Sequence, residues 1–349
     1  MKITFVVHDF LSGVGHGRYC IELARRLASQ HEIHVLANRF DDNFEFPFHR
    51  HFVSAWRKSA LASVLTFPRA AQRIIDRENF DIVHAQGYCC QSADIVTAHV
   101  CNAARYKRSP ATSLAKRVFP FLVIPRERTF YQRLRNRAQF ISISKVIQRE
   151  LTEEYGVASD VIYHGIDTKT FSPAPRENRG ESKWLFVGEA VKGLTETLEA
   201  LRRFPDARLK VVSRSIMGPW QDHAKKIGVS ERVDFRGPTG DMTEVYRTAD
   251  IFVYPSSYDA FGMVVAEAMA CGLPVVIDHR IGAAEWIVDG VNGFVSNPET
   301  FIQKLEEART RPEIGRAARE TALTHTWDIC AQRALEIYER AIASKRTKQ

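Results

Sequence analysis

Two carboxylates, Asp259 and Glu267, stand with seven residues between them in the stretch from Val253 to Ile277, V-Y-P-S-S-Y-D-A-F-G-M-V-V-A-E-A-M-A-C-G-L-P-V-V-I. The apolar run Ile251-Phe252-Val253-Tyr254 is closed by Pro255 and two serines, which places Asp259 in a loop. Gly262 opens an Ala/Met/Val-rich helix that carries Glu267, and Gly272 with Pro274 ends it before the strand Val275-Val276-Ile277. This is a βαβ unit with an acid on either side of a helix N-terminus. The first backbone N–H groups of such a helix, here Gly262, Met263 and Val264 after Phe261, point outward with the positive end of the helix dipole behind them. Phosphate is the group that this arrangement binds most readily.

The elements that must position that unit alternate along the whole chain. A strand at Ile3–Val7 is followed by a glycine-containing loop, 8–17, and a helix over 18–30. Strands follow at 33–37, 81–84, 95–98 and 139–143, then a helix over 145–155 and a strand at 161–163. The polar, proline-punctuated stretch 172–182 reads as a linker. Beyond it come strands at 184–188, 209–212 and 233–235, a helix over 194–202, the βαβ unit itself and a strand at 293–295. From Pro298 the chain reads as helical, with a last helix from Trp327 to about Lys345. Apolar strands alternating with helices predict parallel sheets covered on both faces, and ligands in such sheets bind at the carboxyl ends of the strands.

Length and composition bound the answer. At 349 residues, 45% hydrophobic and 26% charged, the chain can bury a large core and predicts two domains. Its longest apolar run, Val118 to Pro125, has two prolines and falls far short of the roughly 20 residues that span a bilayer. The N-terminus goes straight into a strand without a signal-peptide layout, so the expectation is a cytoplasmic protein. Cys20, Cys89, Cys90, Cys101, Cys271 and Cys330 lie in apolar segments without a C-x-x-C pair, which predicts buried thiols rather than disulfides or a zinc site. The net charge of +8 is concentrated: from Ala104 to Phe140 there are ten cations, among them Arg105, Lys107, Arg108, Lys116, Arg117, Arg126 and Arg128, against Glu127 alone. Tyr106, Phe119, Phe121, Leu122, Val123, Ile124, Phe130 and Tyr131 interleave them, a mixture that suits an anionic membrane surface. No aromatic-stacking motif of the common RNA folds is visible, so nucleic acid is not an expected partner.

The pattern Asp259-x7-Glu267, embedded in P-S-S-Y-D-A-F-G-M-V-V-A-E-A-M-A-C-G-L-P-V-V, resembles the E-x7-E signature of the family 4 retaining glycosyltransferases. Supporting pieces are Gly13-Val14-Gly15-His16-Gly17-Arg18, Asp81-Ile82-Val83-His84, Thr97-Ala98-His99, Ile143-Ser144-Lys145 and Tyr163-His164-Gly165-Ile166-Asp167. The resemblance implies the α/β GT-B fold, two facing Rossmann-like domains with parallel sheets and an interdomain cleft. The expected division is 1–170, a linker at 171–183, a nucleotide-sugar domain at 184–326, and a C-terminal helix, 327–349, crossing back to the first domain. It further implies Asp259 on donor-sugar hydroxyls, Glu267 on the ribose, Lys192 on phosphate, and His99 facing the donor sugar. Gly15 and Gly17 would let the N-terminal loop approach the diphosphate or the acceptor.

The implied reaction is transfer from a nucleotide-diphosphate sugar, UDP-sugar favoured, to a glycolipid or polysaccharide-precursor acceptor, retaining and without a metal or other cofactor. The chain has no D-x-D tripeptide. An envelope acceptor of lipopolysaccharide type and a peripheral position on the inner face of the cytoplasmic membrane follow from the basic segment; the alternatives are a small soluble acceptor and, behind it, a non-enzymatic nucleic-acid-binding or inactive partner protein. The sequence departs from the family twice. Asp259 is one methylene shorter than the usual glutamate, and Glu189 stands where a phosphate-binding arginine is usual, so that either a basic residue such as Arg214 substitutes or Glu189 points away.

Overall fold

The computed structural model describes residues 1–56, 59–108, 114–174 and 182–347, without the side chains of residues 60, 114–117 and 347. The chain divides into two compact units, Met1–His164 with Trp327–Gln349, and Gly165–Thr326.

In the first unit come β1 (Lys2–Val6), β2 (Asp9–Phe10), α1 (Gly15–Leu27), β3 (Glu32–Ala37), β4 (Arg39–Phe40), β5 (His49–Phe52) and α2 (Ala60–Ile75). They continue with β6 (Ile82–Gln86), β7 (Ile95–Ala98), α3 (Asn102–Arg108), α4 (Leu114–Leu134), β8 (Gln139–Ser142), α5 (Lys145–Tyr155) and β9 (Asp160–Val161). Seven strands form one parallel sheet in the order β5-β3-β1-β6-β7-β8-β9, and β2 pairs with β4 beside it. Near-continuous apolar strands make this sheet: Ile3, Phe5, Val35, Ile82, Ile95, Val96 and Ile141 are all buried. The helix over 145–155 falls where its caps put it, with the Ser144 hydroxyl accepting from Ile147 N–H and Gly156 in the left-handed region at φ +66°.

The second unit holds β10 (Ser182–Val187), α6 (Leu194–Leu201), β11 (Ala207–Val212), α7 (Gly218–Lys226), β12 (Val233–Arg236), α8 (Met242–Arg247) and β13 (Ile251–Tyr254). After these come α9 (Met263–Ala270), β14 (Val275–Asp278), β15 (Phe294–Ser296), α10 (Phe301–Thr310) and α11 (Ile314–Leu323). Its six strands are parallel, in the order β12-β11-β10-β13-β14-β15. The last helix, α12 (Trp327–Thr347), belongs to the first unit. Tyr338 Oη meets His84 Nδ1 at 2.7 Å, Arg26 Nε donates to Asp328 Oδ1 at 2.6 Å, and Lys345 Nζ pairs with Asp94 Oδ1 at 2.7 Å.

The domain boundary differs from the expected one. Residues 165–170 belong to the second unit, because Ile166 N–H donates to His325 O at 2.9 Å and bridges Thr326. The start of the expected linker is fixed there too, with Arg247 Nε donating to Ser172 O at 2.8 Å and Arg319 Nη1 to Phe171 O at 2.6 Å; residues 175–181 lie outside the described residues. Every cysteine is a buried thiol outside any disulfide.

Helices α3 and α4 occupy the basic segment. Glu127 of α4 is buried, accepts from Tyr155 Oη of α5 at 2.6 Å, and takes both the backbone and side-chain N–H of Asn102 at 3.3 and 3.2 Å. Burial lifts its carboxyl from 4.5 to about 7 against the pull of those hydrogen bonds. The unfolded chain gives up this proton near pH 4.5 and the folded chain keeps it to about 7, so this group's stabilisation is complete below 4.5 and is lost as pH rises to 7. The loss is on the order of 3 kcal/mol. Glu127→Gln keeps the shape: its carbonyl oxygen accepts from Tyr155 and the Asn102 backbone, and its amide faces a flipped Asn102 side chain. Urea unfolding at about pH 5 and about pH 8 should show the variant gaining on the wild type at the higher pH. Buried neutral His8 and His84, held down to about 4 and about 3 by desolvation, slope the opposite way on the acid side, so the difference between the two proteins isolates Glu127.

Candidate active site

In the second unit the sheet grows in one direction from β10 through β11 and in the other through β13, so the crevice of this fold opens beyond the carboxyl ends of β10 and β13. The loop after β10 carries Lys192 and the loop after β13 carries Asp259. Two glycines let these loops meet. Gly188 has φ +143°, and a Cβ there would lie 3.2 Å from the Tyr254 ring; Gly193 has φ +103°, and its Cβ would lie 2.7 Å from Pro255 O.

Lys192 Nζ thereby reaches Asp259 Oδ2 at 2.7 Å, so the two groups read separately from the sequence form one ion pair. The same oxygen accepts from Tyr254 Oη at 2.9 Å, and Asp259 Oδ1 accepts from Phe261 N–H at 3.3 Å. Burial, and then Asp259 beside it, push the Tyr254 hydroxyl well above its ordinary range, which keeps it a donor. Gly282 N–H and Ala283 N–H pin the loop from the far side by donating to Asp259 O at 3.1 Å and Phe261 O at 2.6 Å. Gly262, at φ +98°, is the N-cap of α9, with no side-chain cap and no acid in the first turn. Met263 and Val264 are the partly exposed residues of that turn, whereas the Phe261 side chain is buried against Trp286. Glu267 is buried on α9 and accepts from Tyr246 Oη at 2.7 Å. Tyr246 and Tyr254, which orient the two acids, carry no signal in the sequence beyond Tyr254's place at a strand end. Glu189 is exposed, and its backbone carbonyl accepts Lys192 N–H at 2.9 Å. Its carboxylate is near enough to help raise Tyr254. Arg214 is exposed in the loop after β11.

In the first unit the corresponding crevice lies between β1 and β6. His99, just past β7, is partly buried; its Nε2 meets Gln86 Oε1 at 2.8 Å and its Nδ1 meets His164 Nε2 at 3.4 Å, with Tyr19 edge-on at 5.1 Å. Desolvation, then His164, hold its imidazole well below the ordinary range, so it is neutral at pH 7. Among the described residues no partner meets the buried Nε2 atoms of Gln86 and His16 or Nδ1 of His8. Gln86 closes β6, His8 lies just past β1 and His16 in the first turn of α1, a group of polar side chains on the loops beyond these strands. Gln86 is the member that the sequence reading missed; a polar residue closing a buried strand was the available signal. Gly17 has a packing reason instead, since a Cβ there would lie 2.5 Å from Leu11 O and 2.6 Å from Asp9 O, whereas one on Gly15 would meet nothing within 4 Å. His84, held between Tyr338 and Thr97, belongs to the core.

The basic segment is less free than its charge count implies. Lys107 and Arg108 pair with Glu154 and Glu150 of α5, and Arg128 lies 3.9 Å from Glu154. Those acids lie more than 20 residues away in sequence from any of the three, outside the segment counted. Arg126 donates to the Leu122 carbonyl one turn back in its own helix at 2.7 Å, and Arg105 lies exposed over Tyr106. The side chains of Lys116 and Arg117 fall outside the described residues. The apolar residues divide as well: Val123, Phe130 and Tyr131 are buried, while Val118 and Phe121 are exposed. No helix among the described residues is long and apolar enough to cross a membrane.

Two Rossmann-like units of parallel sheet, each with its polar loops at the carboxyl ends beside the switch point, define the chain as a GT-B protein. The structure of WaaG, a glycosyltransferase involved in lipopolysaccharide biosynthesis, superposes with a TM-score of 0.81 over 96% of this chain and 99% of that one at 19% identity. Anabaena HepE in complex with UDP-glucose does so at 0.71 over all of both chains, also at 19% identity. The family described as Glycosyl transferases group 1 matches residues 167–322, and Glycosyltransferase Family 4 matches residues 14–170. The chain belongs to the family 4 glycosyltransferases. It is 33% identical over 210 residues to a D-inositol 3-phosphate glycosyltransferase of Mycolicibacterium gilvum, a match covering 54% of this chain and 48% of that one. The chain thus spans about half the length of the curated relatives it matches.

Proposed function

We propose that the protein is a retaining hexosyltransferase that uses a nucleotide-diphosphate sugar, UDP-sugar favoured, and needs no metal for transfer. The observation that carries this reading is the Lys192–Asp259 pair, 2.7 Å, at the uncapped N-terminus of α9. A diphosphate has one cation and a helix N-terminus to receive it, and Lys192 needs only to turn from Asp259 to the phosphate. Asp259, still held by Tyr254 and the Phe261 N–H, is then free to accept from a sugar hydroxyl, and Glu267 from the ribose. The departing diphosphate is stabilised by preorganised dipoles and one lysine, and its oxygen takes the acceptor's proton on the same face of the sugar. HepE has been solved with UDP-glucose, which supports the choice of donor. Turnover of a panel of UDP-, GDP- and ADP-sugars tests the reading. A product that keeps the donor's anomeric configuration, formed at a rate unmoved by added Mg2+ or Mn2+, is expected; inversion, or no turnover of any donor, would overturn it.

For the acceptor, exposed Val118 and Phe121 on α4, together with exposed Arg126 on α4 and Arg105 on α3, support a membrane-associated envelope glycan, met by a peripheral enzyme on the cytoplasmic face. WaaG, which acts in lipopolysaccharide biosynthesis, points the same way. A small soluble acceptor is the second reading, favoured by the pairing of Lys107, Arg108 and Arg128 with α5 acids and by the inositol phosphate named for the curated relatives. Co-sedimentation with vesicles containing anionic lipid decides between them. Salt-sensitive binding, lost in Phe121→Asp, is expected for the first, and indifference to anionic lipid selects the second.

A further inference from the structure

Away from the strand ends that carry the donor loops, the amino-terminal half of β3 and the edge strand β5 present imidazoles and a carboxylate on one face. Glu32 and His34 alternate along β3, His49 and His51 along β5, and the parallel register sets His34 against His49 and Leu36 against His51. His34 Nε2 lies 2.8 Å from Glu32 Oε1, His49 Nε2 lies 3.8 Å from the same oxygen, and one ligand atom from each of the three residues lies within 4.8 Å of the others. The His34 and His49 rings stack at 4.5 Å.

We infer that Glu32, His34 and His49 form a divalent metal site of the Zn2+ type, with His51 orienting His34 from behind. Two imidazoles and a carboxylate match the nitrogen and oxygen ligands that Zn2+ accepts, and water completes the fourth position on this exposed edge. Bonds of about 2.0–2.1 Å at tetrahedral angles place ligand atoms about 3.4 Å apart. Glu32 must back away slightly from His34 and His49 must close in. Both are exposed and free to turn, while His34 is buried and fixed.

His34 Nδ1 meets His51 Nε2 at 2.8 Å. When His34 Nε2 takes the metal, its ring proton resides on Nδ1 and is donated to His51 Nε2, and His51 carries its own proton on Nδ1. Each ring keeps one proton, and the hydrogen bond sets the tautomer that frees Nε2, as outer partners of metal-bound histidines do. Phe80 stands edge-on to both rings, at 5.2 Å from His34 and 6.2 Å from His51. The neighbouring cation, Lys2, opposite Glu32 in the register, is turned to Glu78 at 3.3 Å. A metal here ties β5, an edge strand that among the described residues pairs only with β3, to the body of the sheet.

The site is independent of sugar transfer, and its test needs no activity. The untagged chain is titrated with Co2+ by visible absorption and with Zn2+ by calorimetry and thermal unfolding. A single equivalent of Co2+ with the strong bands of a four-coordinate ion, and a melting point raised by Zn2+, are expected. His49→Ala and Glu32→Gln, both surface changes, should each weaken Zn2+ at least about tenfold, and His51→Ala by about 10–100-fold. A wild-type chain that shows no saturable Zn2+ binding would overturn the assignment. So would a folded His49→Ala variant that binds Zn2+ as tightly as the wild type.

Discussion

Asp259→Asn should lower kcat for sugar transfer by about 10²–10³ while leaving the fold intact. The carboxylate takes three donors, Lys192 Nζ, Tyr254 Oη and Phe261 N–H. The amide can serve at most two of them on its one oxygen, and its NH2 then faces the third donor. The charge that pairs with Lys192 disappears, and so does the full acceptor that the proposed reaction needs for a sugar hydroxyl. Tyr254→Phe removes a single neutral donor from the same oxygen and should cost about 1 kcal/mol in kcat/KM, roughly fivefold. Steady-state kinetics with the donor identified by the panel checks both. An Asp259→Asn enzyme within about threefold of wild type would remove this carboxylate from the transition state.

The second large effect is expected at Gly193, which has no side chain to offer a ligand. Alanine there must hold φ +103°, which costs roughly 1–2 kcal/mol, and its Cβ would also lie 2.7 Å from the Pro255 carbonyl oxygen and 2.8 Å from its ring. Neither backbone can yield without moving the loop that carries Lys192 or the one that carries Asp259. Gly193→Ala should therefore lower the stability of the second unit by about 2–4 kcal/mol and weaken donor binding together with it. Gly15→Ala is the contrast, because its added methyl meets nothing within 4 Å and should leave stability unchanged. Urea unfolding of the two variants side by side gives the answer; equal midpoints would mean that the close approach of the two loops is not what fixes them.

The parallel sheets were legible because their strands are apolar throughout, and 145–155 because serine and glycine cap it. The long helix α4 was hidden. Its prolines, Pro120 and Pro125, argue against a helix, and the apolar run 118–125 masks the period by which Val123, Phe130 and Tyr131 turn inward while Phe121 stays out. Helix α2 also escaped notice, although Ser59 caps it by accepting from Ala62 N–H. At the candidate site the chemical residue types were readable one by one, but their pairing was not. That Lys192 finds Asp259 depends on loops brought together by glycines 188 and 193 across the switch point, and Tyr246 reaches Glu267 from a different helix, α8. Charge misled for the same reason. The basic segment is neutralised in part by acids of α5, and its one internal acid, Glu127, is buried and titrates at about 7 rather than facing solvent. The alternation Glu32-x-His34 and His49-x-His51 stood in the sequence, but it means one shared face only once 49–52 is seen as a strand paired to β3.

The central claim is that the loops after β10 and β13 receive a nucleoside diphosphate. Calorimetric titration of UDP, GDP and ADP into the wild-type chain, Lys192→Ala and Glu267→Gln tests it without any acceptor. One of the three nucleotides should bind the wild type saturably. Lys192→Ala should weaken it about 10–100-fold through the lost phosphate contact, and Glu267→Gln about tenfold through the ribose. Binding of equal strength in all three proteins would place the nucleotide elsewhere and contradict the assignment.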